Sequence, residues 1–256
     1  MGTKSTSAVR FVGLALLGGV ALAVGRVLWA PPGWLFDALP ALFPGCLYRV
    51  QTSALRIALT IDDGPDAETT PLILAELEQH RAHATFFLIS SRVAGQEDLV
   101  RDLVRAGHEI GNHLTRDIPT IRLGTGQFEA DLLAAHHTLA RFGPISWVRP
   151  GSGWYSRAML ETMRRHRYRC ALGSVYPFDA AIPSDWWARS FILRNGGPGS
   201  IVILHDGGDR GRRTARVLGR VLPELAGRGF RVVTLSELAS DQTPGPGRQL
   251  APDRTD

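Results

Sequence analysis

Arg56-Ile57-Ala58-Leu59-Thr60-Ile61 runs straight into Asp62-Asp63-Gly64-Pro65. The first part is short and mostly apolar, the pattern of a strand buried on both faces. Two adjacent carboxylates therefore leave its C-terminal end, and Gly64-Pro65 turns the chain sharply behind them. In an extended backbone Asp62 and Asp63 would point in opposite directions. A turn there aims both into one site with different surroundings, one to bind a metal and the other to act as a base. Asp-Gly is also ordinary turn or helix-cap chemistry, so this stretch needs company before it means function.

Working outward, the same alternation repeats. Strands are predicted at Arg56–Ile61, Ala84–Ile89, His108–Gly111, Ser146–Arg149, Arg169–Gly173, Ser200–Leu204 and Phe230–Thr234. Helices are predicted between them at Pro71–Arg81, Gln96–Ala106, Phe128–Arg141, Ser156–Arg167 and Arg213–Arg228, with apolar residues at helical spacing. Seven strands alternating with helices predict a parallel α/β barrel or an open α/β sheet. Either architecture places ligands at the C-terminal ends of the strands.

The 256 residues suit one large domain with short extensions. The formal charge of +5 comes largely from Arg spread over several segments. No zinc-finger, RNP or helix-turn-helix signature accompanies it, so it reads as a solvated surface and not a nucleic-acid face. The two cysteines, Cys46 and Cys170, form no CxxC pair, which argues against a structural zinc site or a disulfide framework. Cys170 lies in an apolar run and reads as a buried free thiol.

Phe11 to Gly25 is an uncharged apolar run preceded by Lys4 and Arg10 and followed by Arg26. It reads as a signal sequence, cleaved after Ala21-Leu22-Ala23, or as an uncleaved anchor reaching to Ala30 if Arg26 snorkels. A buried core helix is the alternative. The positive-inside rule leaves the domain outside the cytoplasm. The expected division is residues 1–30 as signal or membrane anchor, 31–54 as a connecting segment, 55–240 as the catalytic domain and 241–256 as a disordered tail.

Other polar clusters fall at predicted strand ends. His113 and Asp117 follow the third strand, and one helical turn would put them on one face. Arg149-Pro150-Gly151-Ser152-Gly153 follows the fourth, a fixed cation beside backbone N–H groups suited to an oxyanion. His205-Asp206-Gly207 follows the sixth, with His205 placed as a general acid. Each has a bland structural reading alone. Four at the right ends of four strands are hard to attribute to chance.

These residues also carry a resemblance. Thr60-Ile61-Asp62-Asp63-Gly64-Pro65 with Ala84-Thr85-Phe86-Phe87 resembles the first motif of the polysaccharide deacetylases, carbohydrate esterase family 4. Gly107-His108-Glu109-Ile110-Gly111-Asn112-His113 is similar to their second, Arg149-Pro150 to the third and Ile203-Leu204-His205-Asp206 to the last, spanning Leu55 to Leu238 in the family's order.

The resemblance implies a distorted (β/α) barrel of about seven parallel strands and metal-dependent amide hydrolysis. It implies Asp62 as general base, Arg149 as its holder and His205 as the acid that protonates the leaving amine. Asp63 and His113 become metal ligands. The family's fourth motif puts an Asp behind His205 or Arg149. Asp179 fits the family's spacing, whereas Asp185 has the more familiar local look. A backbone N–H near Ser152 would hold the oxyanion, and Leu204 with Trp186 or Trp154 would enclose the acetyl methyl.

The chain departs from the pattern at Asp117, where the family has a second His, and at Leu114, Gly151 and Ser152. Asp117 as third ligand makes a more negative site that favours a harder ion. Zinc is the expected metal, with cobalt, nickel or manganese as alternatives. The expected substrate is an N-acetylglucosamine-containing glycan: chitin-like, peptidoglycan or glycolipid. Hydrolysis of another small amide, or glycan binding by a catalytically impaired protein, stand as the other readings.

Overall fold

The structure is a computed structural model that describes residues 44–241. The proposed leader at 1–30, most of the connecting segment and the tail beyond 241 lie outside the described residues.

The strands are β1 (Cys46–Leu47), β2 (Arg56–Asp62), β3 (Thr85–Leu88), β4 (Glu109–Asn112), β5 (Trp147–Val148), β6 (Arg169–Ala171), β7 (Ile201–His205) and β8 (Arg231–Val233). The α-helices are α1 (Thr70–Gln79), α2 (Glu97–Arg105), α3 (Thr125–Leu139), α4 (Arg157–Arg165), α5 (Asp185–Asn195), α6 (Gly208–Gly227) and α7 (Leu235–Ser240). All strand pairings are parallel, in the order β1-β6-β5-β4-β3-β2-β7, with β8 beside the N-terminal half of β2. Beyond the two sheet edges, Arg49 bridges Ser200 and Val175 bridges Val202, so the sheet curls towards closure. This is the expected distorted barrel.

All seven predicted strands are present. The short edge strand β1 falls inside the segment expected to be a connector, since two residues carry no readable period. Two helices also went unread. Helix α5 starts at Ser184, whose hydroxyl accepts from the Trp187 N–H, and α7 starts at Thr234, whose hydroxyl accepts from the Glu237 N–H. Helix α6 starts at Gly208 and not at Arg213, because tertiary packing overrides the poor helix propensity of Gly208 and Gly211. A Cβ on Gly211 would fall 2.4 Å from Thr69 Oγ1, so only glycine lets this helix start close to the turn after β2.

The period of two divides the core. Ile57, Leu59 and Ile61 of β2 and Phe86 and Leu88 of β3 belong to the cluster that faces helices such as α1 and α6. Ala58, Phe87, Trp147, Ala171 and Ile201 pack together on the other face, inside the curl. Along that inner face β2 climbs from Ala58 through Thr60 to Asp62, from an apolar plug to a polar rim. Cys46 and Cys170 pair in register across β1 and β6 as free, buried thiols with Sγ atoms 2.8 Å apart.

Candidate active site

Asp62 is the last residue of β2 and points inside the curl. Its Oδ1 accepts from Arg149 Nη1 at 2.6 Å. Arg149 is only 2 % exposed and every side of it is used. It donates to Thr60 Oγ1 at 2.8 Å, Ala171 O at 3.0 Å and Leu172 O at 3.1 Å, and lies over the Phe87 ring. A buried guanidinium so satisfied is a fixed cation, and its bond to Oδ1 holds the Asp62 carboxylate aimed into the curl.

Asp63 turns away from Asp62 through a left-handed backbone, φ 73°, followed by a cis Gly64–Pro65 bond. Arg92 donates to its backbone carbonyl. The turn thus resolves the problem of consecutive carboxylates as expected: both reach one cavity. Asp63 Oδ1 lies 3.4 Å from His113 Nε2, and Arg210 Nη1 lies 3.1 Å from Asp63 Oδ2. Burial pushes the Asp63 carboxyl up, but the hydrogen bond with His113 and the charges of His113, His205 and Arg210 outweigh it and hold it at about 2. Burial pushes the His113 imidazole down, yet its hydrogen bond to Asp63 and the charges of Asp62 and Asp63 raise it overall.

His113 follows β4 directly. Its Nδ1 bonds the Arg149 carbonyl at 2.7 Å, which makes Nδ1 the protonated nitrogen and leaves Nε2 towards Asp63. His205 ends β7. Asp179 grips it twice, accepting from the His205 ring Nδ1 at 2.9 Å and from its backbone N–H at 3.1 Å. Burial pulls the His205 imidazole down, but the Asp179 hydrogen bond and charge, with Asp62 and Asp63 behind, raise it overall. Asp185 is elsewhere: it opens α5 and pairs with Arg216 at 2.8 Å. The structure therefore pairs Asp179, not Asp185, with His205.

These groups meet at one cavity of about 490 Å³ at the C-terminal rim, lined by Asp62, Asp63, His113, Arg149 and His205. Asp117 and Ser152 line it too. Residues 115–118 form bends and not the expected helical turn, and Leu114 before them stands at φ 66°. Asp117 is 54 % exposed on its side chain, and its carboxylate lies 3.8 Å from Arg92. Among the described residues no three His, Cys, Asp or Glu side chains gather closely enough to hold one ion. Ser152 stands at φ 63° in the turn Gly151–Gly153. A Cβ on Gly151 would fall 2.2 Å from Ile118 O, so this glycine lets the turn press against the Asp117 loop.

Three expected wall residues are not brought to the cavity. Leu204 is 1 % exposed in the helix-side core, because it alternates with His205 along β7. Ile203, two residues before His205, faces the cavity in its place. Trp154 and Trp186 are 69 % and 65 % exposed and are not among the lining residues. Tyr48, Leu172, Tyr176 and Arg210 line the cavity without having been singled out in the sequence. The strand period was signal enough for Ile203 and for Leu172 in the predicted strand Arg169–Gly173, whereas Tyr48, Tyr176 and Arg210 lie outside the predicted strands and helices.

Asp63 and His113 are fit to share a metal. Two donors bound tetrahedrally at about 2.1 Å are roughly 3.4 Å apart, which is the 3.4 Å seen between Oδ1 and Nε2. The Nδ1 bond to a backbone carbonyl is the usual way such a histidine is oriented.

Fold and rim together define a parallel α/β protein with paired carboxylates, imidazoles and a buried guanidinium gathered at one cavity. The family model described as polysaccharide deacetylase matches residues 49–171. A Bacillus cereus peptidoglycan-N-acetylglucosamine deacetylase is 37 % identical over 195 residues, 75 % of this chain and 91 % of that protein. A Bradyrhizobium chitooligosaccharide deacetylase is 33 % identical over 196 residues, 71 % and 90 % of the two chains. The solved Bc1960 peptidoglycan N-acetylglucosamine deacetylase superposes with a TM-score of 0.73 at 26 % identity, covering 79 % of this chain and 96 % of that one. The chain belongs to the polysaccharide deacetylase family and is a hydrolase of non-peptide carbon–nitrogen bonds.

Proposed function

We propose that the protein is a divalent-metal-dependent deacetylase of an N-acetylglucosamine-containing glycan, peptidoglycan or a chitin-like oligomer. The observation that carries it is the pairing of Asp62 with Arg149 and of His205 with Asp179 across one cavity, with Asp63 and His113 beside them. Substrates of the relatives, peptidoglycan and chitooligosaccharide, support the substrate class.

Asp63 and His113 would hold the ion, with Asp117, on the lining of the same cavity, as the candidate third protein ligand. When bound, a zinc-like ion supplies Lewis acidity to the acetamide carbonyl and to water. Asp62, held in place by Arg149, would take the proton of the attacking water. A backbone N–H of the Gly151–Gly153 turn serves the developing oxyanion. His205, whose imidazole Asp179 orients and raises, would give its proton to the departing nitrogen, which would otherwise leave as an amide anion. Ile203 and Leu172 offer apolar wall for the acetyl methyl.

An extracytoplasmic glycan agrees with residues 1–30 acting as a signal or anchor ahead of a catalytic domain at 55–240. No described helix is long and apolar enough to cross a membrane. The test is acetate release from N-acetylated peptidoglycan and chitooligosaccharides, with and without a chelator. The expected result is release that the chelator stops, that added Zn²⁺ restores, and that Asp62→Ala lowers by roughly 10²–10⁴-fold. Release unaffected by the chelator would sink metal dependence, and release unaffected by Asp62→Ala would sink the assigned base.

A further inference from the structure

Asp63 is held by two arginines from different elements. Arg92, in the turn after β3, takes its backbone carbonyl, and Arg210, in the first turn of α6, takes its carboxylate. The two carboxylate oxygens are divided between partners. Oδ2 faces Arg210 Nη1 at 3.1 Å, while Oδ1 faces His113 Nε2 at 3.4 Å.

Arg210 is an odd residue for its place. The N-terminal turn of a helix carries the positive end of the dipole and disfavours a cation. The start of α6 is nevertheless anchored so that a side chain leaving it has a fixed origin. Asp206 donates its backbone N–H to Asp62 O at 2.8 Å, and its buried carboxylate accepts from the hydroxyls of Thr69 and Thr70. Gly211 then packs against Thr69. The Arg210 side chain is about one-third exposed, lines the cavity, and reaches back to an Asp63 side chain that is only 5 % exposed.

We propose that Arg210 is a positioning residue for the metal site: by holding Oδ2 of Asp63 it commits Oδ1 alone to the ion beside His113. This rests on the metal-dependent reading above. A free carboxylate can chelate through both oxygens or swing to water, and an oxygen tied to a guanidinium can do neither. The remaining oxygen keeps the 3.4 Å spacing from Nε2 that two donors to one tetrahedral ion require. Arg210 also leaves an extra positive charge beside the carboxylates of Asp62, Asp63 and Asp117 that line the same cavity.

The test is Zn²⁺ binding to the metal-stripped full chain by titration calorimetry, checked by Co²⁺ absorption, for wild type, Arg210→Gln and Arg210→Lys. The expected result is a Kd for Zn²⁺ weakened roughly 10–100-fold in Arg210→Gln, as for other outer partners of metal ligands. Arg210→Lys should fall between Arg210→Gln and wild type, since it keeps the charge and loses the fork, and the Co²⁺ spectrum of both variants should shift. Arg210→Gln binding as tightly as wild type overturns the proposal. Tighter binding overturns it as well, because Arg210 would then compete with the ion for Asp63. Should Arg210→Gln not fold, Arg210→Lys decides: weakened binding supports the proposal, and wild-type or tighter binding overturns it. Wild-type protein that binds no divalent ion overturns the metal-dependent reading and this proposal together. Wild-type binding with an indifferent Arg210 overturns this proposal alone.

Discussion

His108 and His113 stand five residues apart at opposite ends of the same strand, β4, and both are buried. Their chemistry is opposite. His108, at the N-terminal end, accepts the Ala84 N–H on Nδ1 and touches the His83 and Phe86 rings. Burial, with the His83 charge adding to it, pushes its pKa down to about 4, so it is a neutral piece of the core at ordinary pH. His113, at the C-terminal end, is raised because two carboxylates face it. Burial is common to both, so burial does not make a site. The strand direction does, because it delivers the loops that carry Asp62, Asp63 and Arg149 to one rim only.

The comparison breaks most sharply on activity. His113→Ala should lose more than about 100-fold of acetate release together with Zn²⁺ affinity, a larger loss than that of an outer partner. His108→Ala should keep its turnover per folded molecule. If His108→Ala costs as much activity as His113→Ala, the two-rim picture is wrong. Steady-state rates normalised to the folded fraction decide it.

A smaller effect is expected from the acid pair at the active rim. Asp179→Asn removes the charge that raises His205, so the alkaline limb of the kcat/KM profile should move to lower pH. The loss near the wild-type optimum should be within about 10²-fold, since the imidazole itself remains. An alkaline limb that stays in place would show that His205 is not the acid whose titration is seen.

The smallest effect concerns stability at the other rim. The folded pKa of His108, about 4, is below its ordinary 6.5, so the unfolded chain takes the proton first. Its contribution is therefore complete above about 6.5 and is lost as pH falls towards about 4. In the metal-free protein His113 works in the reverse sense, complete below 6.5 and lost as pH rises through its raised value. His108→Ala should cost about 1–3 kcal/mol at neutral pH by stranding the Ala84 N–H. It should also flatten the acid side of the stability curve. Urea melts from pH 4 to 7 check both, and an unchanged acid slope would remove His108 from the account.

Much of this was legible beforehand, for local reasons. Asp62-Asp63-Gly64-Pro65 at a strand end, and His205 at another, announce themselves by period and by breakers. Asp117 did not behave locally: the turn expected to align it with His113 is a run of bends, and it faces Arg92. The resemblance puts Leu204 at the acetyl methyl, although the strand period turns it away and brings Ile203 in. Choosing between Asp179 and Asp185 needed a contact across 26 residues, which no local pattern carries.

The amino-acid sequence alone determined the alternation of seven strands with helices, and which strand ends bear carboxylate, imidazole and guanidinium. Periodicity, caps and breakers act over a few residues, so they survive in one dimension. Only the tertiary structure decided who holds whom: Arg149 on Asp62, Asp179 on His205 and Arg210 on Asp63, at separations of 87, 26 and 147 residues. Those pairs depend on where a curled sheet brings its strand ends and on which oxygen each side chain can reach.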